Sequence, residues 1–190
     1  VTVDLHADQI QGFFNIPVDH LSASYAFVPY LKDKMSTENL IIASPDVGGT
    51  KRASRFSTAL DVDMVIVHKE RAEAGIVSSM KLIGDVHGKD VVLVDDIIDT
   101  GNSLCKAATL MMDNGAKSVR ALCTHPLLSD TAYENINKSC LTEVVVADTI
   151  PVKRGLTEKI KIISVDKMIA KAMRRIIDGK SLSVDLTGSM

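Results

Sequence analysis

The run Val91-Val-Leu-Val-Asp-Asp-Ile-Ile-Asp-Thr-Gly-Asn-Ser103 holds the densest chemistry in the chain, because four apolar β-formers lead straight into two adjacent carboxylates and then a small polar turn. It predicts a buried strand emptying into an anion-binding loop. Leu104 to Met112 continues with helix-compatible Ala, Leu, Met and Lys. Asp99, Thr100, Gly101, Asn102 and Ser103 therefore fall where backbone N–H groups and a helix N-terminus can surround a phosphate. Asp95 and Asp96, at the strand's carboxyl end, are placed to bind hydroxyls or a divalent metal beside it. A sugar phosphate meets both demands. The alternative is that Asp99, Thr100 or Ser103 merely caps the next helix, which these residue types do routinely.

Three further segments carry candidate chemistry. Ser44-Pro-Asp-Val-Gly-Gly-Thr-Lys-Arg52 also follows an apolar run and opens a helical pattern. In it Asp46 can hold a metal, and Gly48 and Gly49, next to Val47, let backbone approach a ligand closely. Lys51 and Arg52 stand in the first helical turn, where bases oppose the helix dipole, so an anion or partner is expected nearby. A tight Pro-Asp-Gly turn with two solvated bases accounts for the same residues. His68-Lys-Glu-Arg-Ala-Glu-Ala-Gly75 reads either as a solvated surface loop or as a catalytic loop that closes Lys69 and Arg71 over a site. Asp4 and His6 alternate at the end of a first short strand, a spacing suited to metal or phosphate contact, although a lone histidine is more often a structural hydrogen-bonder. His20, His87 and His125 read as structural.

Positioning these groups requires a sheet. Strands are predicted at Val1 to Leu5, Leu40 to Ser44, Met64 to His68, Val91 to Asp95, Val119 to Thr124, Glu143 to Ala147 and Lys161 to Ser164, several as unbroken apolar runs. Helical patterns fall between them at Ala23 to Lys34, Gly49 to Leu60, Asn102 to Asn114, Ala132 to Asn137 and Lys167 to Asp178. The alternation predicts an α/β fold, a mostly parallel sheet flanked by helices, with its site at the strands' carboxyl ends.

Composition bounds the partners. The chain has 190 residues, 46% of them hydrophobic, enough for one good core, and a net charge of −2 gives no general attraction to nucleic acid or to an anionic membrane. Its three cysteines lack C-x-x-C spacing, so neither a disulfide framework nor a zinc site is suggested. A small anionic substrate and a cytoplasmic location are expected.

The Asp-Asp…Asp-Thr motif resembles the ribose-phosphate loop of the type I phosphoribosyltransferase fold. Taken with Asp4-Leu-His-Ala, Gln9-Ile-Gln-Gly-Phe-Phe14, Ser44-Pro-Asp-Val-Gly-Gly, His68-Lys-Glu-Arg and Thr124-His-Pro, the chain resembles the ribose-phosphate diphosphokinase family almost from end to end. That resemblance implies a type I phosphoribosyltransferase-like fold, Mg²⁺ as cofactor, ATP and ribose 5-phosphate as substrates, and a homo-oligomer. It implies catalysis by Lys69, Arg71 and His6, with ribose 5-phosphate on Arg71, Asp95, Asp96 and Asp99 to Ser103. A diphosphate loop is implied at Asp46 to Gly49, and metal ligation by His6 and Asp46, with Asp4 and Asp19 as weaker ligands. It divides the chain into 1–21 as the tail of a truncated first domain, 22–178 as the catalytic domain, and 179–190 as a returning strand and loose tail. Two departures stand out: Asn102 occupies a position where the family usually has Gly, and Asn15 replaces a common acid. The rival readings are a phosphoribosyltransferase acting on a nucleobase and a non-catalytic regulatory subunit of the synthetase.

Overall fold

A strand apolar on both sides is stable only if both faces are covered, and here two layers of helix cover them. The computed structural model describes residues 1–73, 76–153 and 155–182, and at 70–73 and 76–78 the backbone alone. Its elements are β1 (Thr2–Val3), a 3-10 helix (Asp8–Phe13), β2 (His20–Leu21), α1 (Ser24–Lys34), β3 (Leu40–Ser44), α2 (Thr50–Leu60), β4 (Met64–Glu73) and β5 (Ile76–Ile83). They continue with β6 (Asp90–Ile98), α3 (Asn102–Asp113), β7 (Ser118–Pro126), α4 (Ala132–Lys138), β8 (Glu143–Ala147), β9 (Ile160–Ile163) and α5 (Asp166–Ile177).

Seven strands form one sheet in the order β5-β4-β3-β6-β7-β8-β9, parallel except for the β4–β5 pair. The two-residue period of a strand divides its side chains between two cores. Ile41 and Ala43 of β3, with Val91 and Leu93 of β6, pack under Leu104, Ala107, Ala108 and Met111 of α3 and Ile136 of α4. Leu40 and Ile42, with Val92 and Val94, face Phe27 and Leu31 of α1, Ala53 and Phe56 of α2, and Met168 of α5. From β3 the chain moves to β4 on one side, then returns to place β6 on β3's other side. The strand order therefore reverses between β3 and β6, where an open α/β sheet leaves a crevice at its carboxyl edge.

Two expectations change. Residues 68–73 do not form a loop: β4 runs through them to Glu73 and pairs antiparallel with β5, with register irregularities around Arg71. Backbone pairing with β5 sustains this polar stretch, so no hydrophobic period announces it. The first strand stops at Val3, because Asp4 adopts φ 40° and breaks the alternation expected of Asp4 and His6. The returning strand expected within 179–190 lies, from residue 183 on, outside the described residues. Among the described residues no helix is long and apolar enough to cross a membrane.

The N-terminal segment is bolted to the sheet. β1 pairs in parallel with β2, Leu21 is fully buried, and His125 Nε2 lies 3.1 Å from the carbonyls of both Val3 and Asp4. Asp4, 5% exposed, accepts at Oδ2 from the Thr124 hydroxyl at 2.7 Å and from the Ala23 N–H at 3.1 Å. Asp4→Ala leaves both buried donors short of an acceptor, so a loss of about 1–3 kcal/mol is expected in urea unfolding. Unchanged stability would show that the segment is held without this bolt.

Candidate active site

β6 ends inside the crevice, and its last turn of strand delivers the acidic pair. Asp96 is buried and Asp95 half-buried, with Asp95 Oδ1 accepting the Asp96 N–H at 2.9 Å. Two carboxylates this close need a cation, and α2 supplies one. Arg52 Nη1 lies 3.3 Å from Asp96 Oδ1 and 3.9 Å from Asp95 Oδ1. The dipole-opposing base in the first turn of α2 thus answers to an anion across the crevice. Its neighbour Lys51 reaches Asp8 Oδ2 at 2.6 Å and holds that carboxyl below its usual range.

On the opposite side of the pair, His6 Nδ1 lies 2.7 Å from Asp96 Oδ2. A carboxylate only accepts, so Nδ1 carries the proton and donates, leaving Nε2 as the ring's remaining ligand atom. Burial alone would raise the Asp96 carboxyl, but the adjacent Arg52 charge and the His6 hydrogen bond outweigh it, and Asp96 sits below the usual carboxylate range. Asp95 goes the other way: burial, the hydrogen bond with Asp96 and the repulsion of its charge push it up to about 7. Behind the pair the buried Cys123 thiol donates to the Asp96 carbonyl at 3.4 Å, and burial pushes that thiol upward.

Beyond β6 the chain turns through Asp99 and Thr100 and enters α3 through Gly101, whose φ of 75° is the left-handed conformation that favours glycine. Asn102 and Ser103, both exposed, open the helix. Asp99 accepts from the Ser129 hydroxyl, and Asn135 donates to the Thr100 carbonyl at 2.9 Å. Ser129 follows Leu128 in a segment that the family resemblance includes after Thr124-His-Pro, without a role; the sequence offers no signal for Asn135 beyond its polarity on α4.

The loop after β3 forms the facing wall. Asp46 Oδ1 accepts the Gly49 N–H at 3.0 Å, and Ser44 Oγ donates to the Asp46 carbonyl at 2.6 Å. A Cβ on Gly49 would stand 2.8 Å from Ser44 Oγ, so a side chain there requires the Ser44 hydroxyl to leave its bond to the Asp46 carbonyl. Val47 and Gly48 are exposed at its tip. Lys69, from β4, lies with Nζ 3.2 Å from Asp46 Oδ2 and its side chain 13% exposed. Arg71 is also in β4, but its side chain lies outside the described residues.

The expected metal ligands are therefore divided. His6 joins Asp96, and Asp46 joins Lys69, whereas Asp4 is consumed in the Thr124 bolt. Asp19 is exposed at the start of β2 and contributes its backbone carbonyl to the Thr2 N–H at 2.8 Å. Among the described residues no three His, Cys, Asp or Glu side chains gather into a ready metal cage. His20, read as structural, accepts the Leu5 N–H at Nε2 and fixes the backbone just before His6.

Known proteins carry the same chain architecture. Ribose-phosphate pyrophosphokinase of Porphyromonas gingivalis is 49% identical over 183 residues, covering 96% of this chain and 58% of the relative. Ribose-phosphate pyrophosphokinase 3 of Saccharomyces cerevisiae is 45% identical over 185 residues, with the same coverage of 96% and 58%. The crystal structure of phosphoribosylpyrophosphate synthetase from Mycobacterium smegmatis superposes with a TM-score of 0.85 at 34% identity, over 93% of this chain and 58% of that one. The chain thus spans somewhat more than half the length of these relatives. The family described as the phosphoribosyl synthetase-associated domain matches residues 75–186, a span that includes the acidic pair and the loop that follows it. With more than half of its length inside that match, the chain belongs to the phosphoribosyl synthetase-associated domain family.

Proposed function

We propose that this chain forms the catalytic part of a ribose-phosphate diphosphokinase. The observation that carries the reading is the string Arg52–Asp96–His6, which sets an acidic pair in the crevice immediately before the Asp99–Ser103 loop. The names of the similar proteins, ribose-phosphate pyrophosphokinase, support ribose 5-phosphate as acceptor. The reaction is in-line attack of the anomeric hydroxyl on the β-phosphorus of ATP: the new bond forms from the sugar oxygen, and the bond to the α-phosphate breaks to release AMP.

Catalysis of this kind is mostly positioning and charge neutralisation. Backbone N–H groups and hydroxyls of Asp99 to Ser103 hold the 5-phosphate. Asp95 and Asp96 accept hydrogen bonds from the ribose hydroxyls. Lys69, released from Asp46, moves to the transferring group, and Arg71 is the second cation of that strand. A group of hard oxygen acceptors beside an imidazole whose far nitrogen is oriented by Asp96 fits Mg²⁺, which keeps several waters and substrate phosphates in place of an all-protein cage. Asp95, Asp96, His6 and Asp46 would hold it, and when bound it would neutralise charge on the phosphate oxygens.

The test is AMP release from ATP by the purified chain, with and without ribose 5-phosphate and Mg²⁺, alongside titration calorimetry with ribose 5-phosphate. AMP release that requires the sugar is the expected result. AMP release that ignores the sugar, or failure of the chain to bind ribose 5-phosphate, overturns the reading.

A further inference from the structure

The loop entering α3 is held from outside as well as from within. Asn135, on the second turn's edge of α4, donates from Nδ2 toward three acceptors: the Thr100 carbonyl at 2.9 Å, Asn102 Oδ1 at 3.0 Å and Thr131 Oγ1 at 3.0 Å. An amide nitrogen carries two hydrogens, so the three acceptors share them and the nitrogen has one workable orientation.

Its platform is fixed. The Leu128 N–H donates to the Ile98 carbonyl at 3.0 Å, the Ser129 hydroxyl donates to Asp99, and the Asn135 N–H donates to the Thr131 carbonyl at 2.8 Å. Leu128 and Asp130 adopt φ of 49° and 48°, left-handed conformations that residues with side chains hold only where their surroundings impose them. Both lie in the segment that joins β7 to α4 and is hydrogen-bonded to the end of β6 and to the phosphate loop.

Asn102 is the first residue of α3, next to Ser103 and to the free N–H groups of that helix. With Oδ1 engaged by Asn135, the same carboxamide keeps its NH₂ as a donor on the first residue of that helix. We propose that Asn135 is a positioning residue: it turns the Asn102 carboxamide so that Asn102 Nδ2 donates to the sugar's 5-phosphate. The inference rests on the functional reading above and adds a phosphate donor that a glycine at position 102 could not provide. It also gives a physical reason for two asparagines facing each other across the loop: Asn135 is oriented by the Thr100 carbonyl and Thr131 Oγ1, and Asn102 by Asn135.

Titration calorimetry with ribose 5-phosphate tests this on the wild-type chain, Asn102→Ala, Asn135→Ala and the double variant. Each single variant is expected to weaken binding about tenfold, the worth of one charge-assisted hydrogen bond, and the double variant no further than the singles. Titration with unphosphorylated ribose gives the same affinity for Asn102→Ala as for the wild-type chain, because only the phosphate contact is lost, whereas a purely structural clamp would disturb both ligands. Additive losses, wild-type ribose 5-phosphate affinity in Asn135→Ala or Asn102→Ala, or an equal loss toward unphosphorylated ribose overturn the inference while leaving the functional reading intact. Failure of the wild-type chain to bind ribose 5-phosphate overturns that reading, and this inference with it.

Discussion

Arg52→Leu is expected to lower stability by about 3–5 kcal/mol near neutral pH, the cost of leaving buried charge without its partner. The two side chains involved are 14% and 6% exposed, so water does little to screen the lost contact. The loss has a signature in pH. In the wild-type chain Asp96 is held below its usual range, so its contribution is present above the unfolded carboxyl value and disappears on acidification through the folded one. Without Arg52, burial prevails and the carboxyl rises, which reverses the sign: the variant's penalty grows as pH rises and the buried group is forced to ionise. The gap between the two proteins should therefore be widest at about pH 7.5 and narrower at about pH 5, as read from urea unfolding at both. An equal gap at the two pH values would mean that Arg52 contributes packing and not charge.

Arg52 also shows how far a sequence can be read. A base in the first turn of a helix is electrostatically misplaced, and that alone predicted an anion nearby. Which anion depended on the sheet order, since the reversal between β3 and β6 is what brings α2's first turn to Asp95 and Asp96. Burial wrote the strands into the sequence most clearly: β3 and β8 match their predicted bounds because apolar runs covered on both faces are unmistakable. The 3-10 helix at Asp8–Phe13 buries none of its residues, so no pattern marks it. The β4–β5 extension was illegible for a related reason, being held by backbone pairing through polar residues. Asp4 shows the opposite failure. Alternation put it beside His6, but a single left-handed φ separates them; aspartate adopts that conformation more readily than most residues, yet residue type alone does not say which aspartate will. Asn135 was invisible because one half-buried helical asparagine resembles any other until its acceptors are in place.

Ribose 5-phosphate binding should tighten as pH rises toward about 7 and then level, by up to about tenfold per unit on the rising limb. The cause is Asp95. Burial and the charge of Asp96 push it up to about 7, whereas Asp96 stays ionised, so the pair reaches two negative charges only near neutrality. For the ligand-free chain the sign is unfavourable: a raised carboxyl contributes stability below its unfolded value and loses it as pH rises through about 7. The acidic pair is thus under electrostatic tension at neutral pH, and a ligand that hydrogen-bonds to the ionised Asp95 relieves it. Binding then expels a proton, which calorimetry in buffers of different ionisation enthalpy counts directly. The sugar's phosphate titrates as well, near a pH of about 6, so the wild-type profile alone is ambiguous. Asp95→Asn separates the two contributions. It retains the phosphate's titration, removes that of the carboxyl, and weakens binding by about tenfold to a hundredfold through loss of charged acceptors. If Asp95→Asn keeps the full wild-type profile, the rise belongs to the phosphate and Asp95 does not meet the sugar. If the profile flattens and proton release falls, the raised carboxyl is what couples pH to the site, and the closeness of Asp96 is its cause.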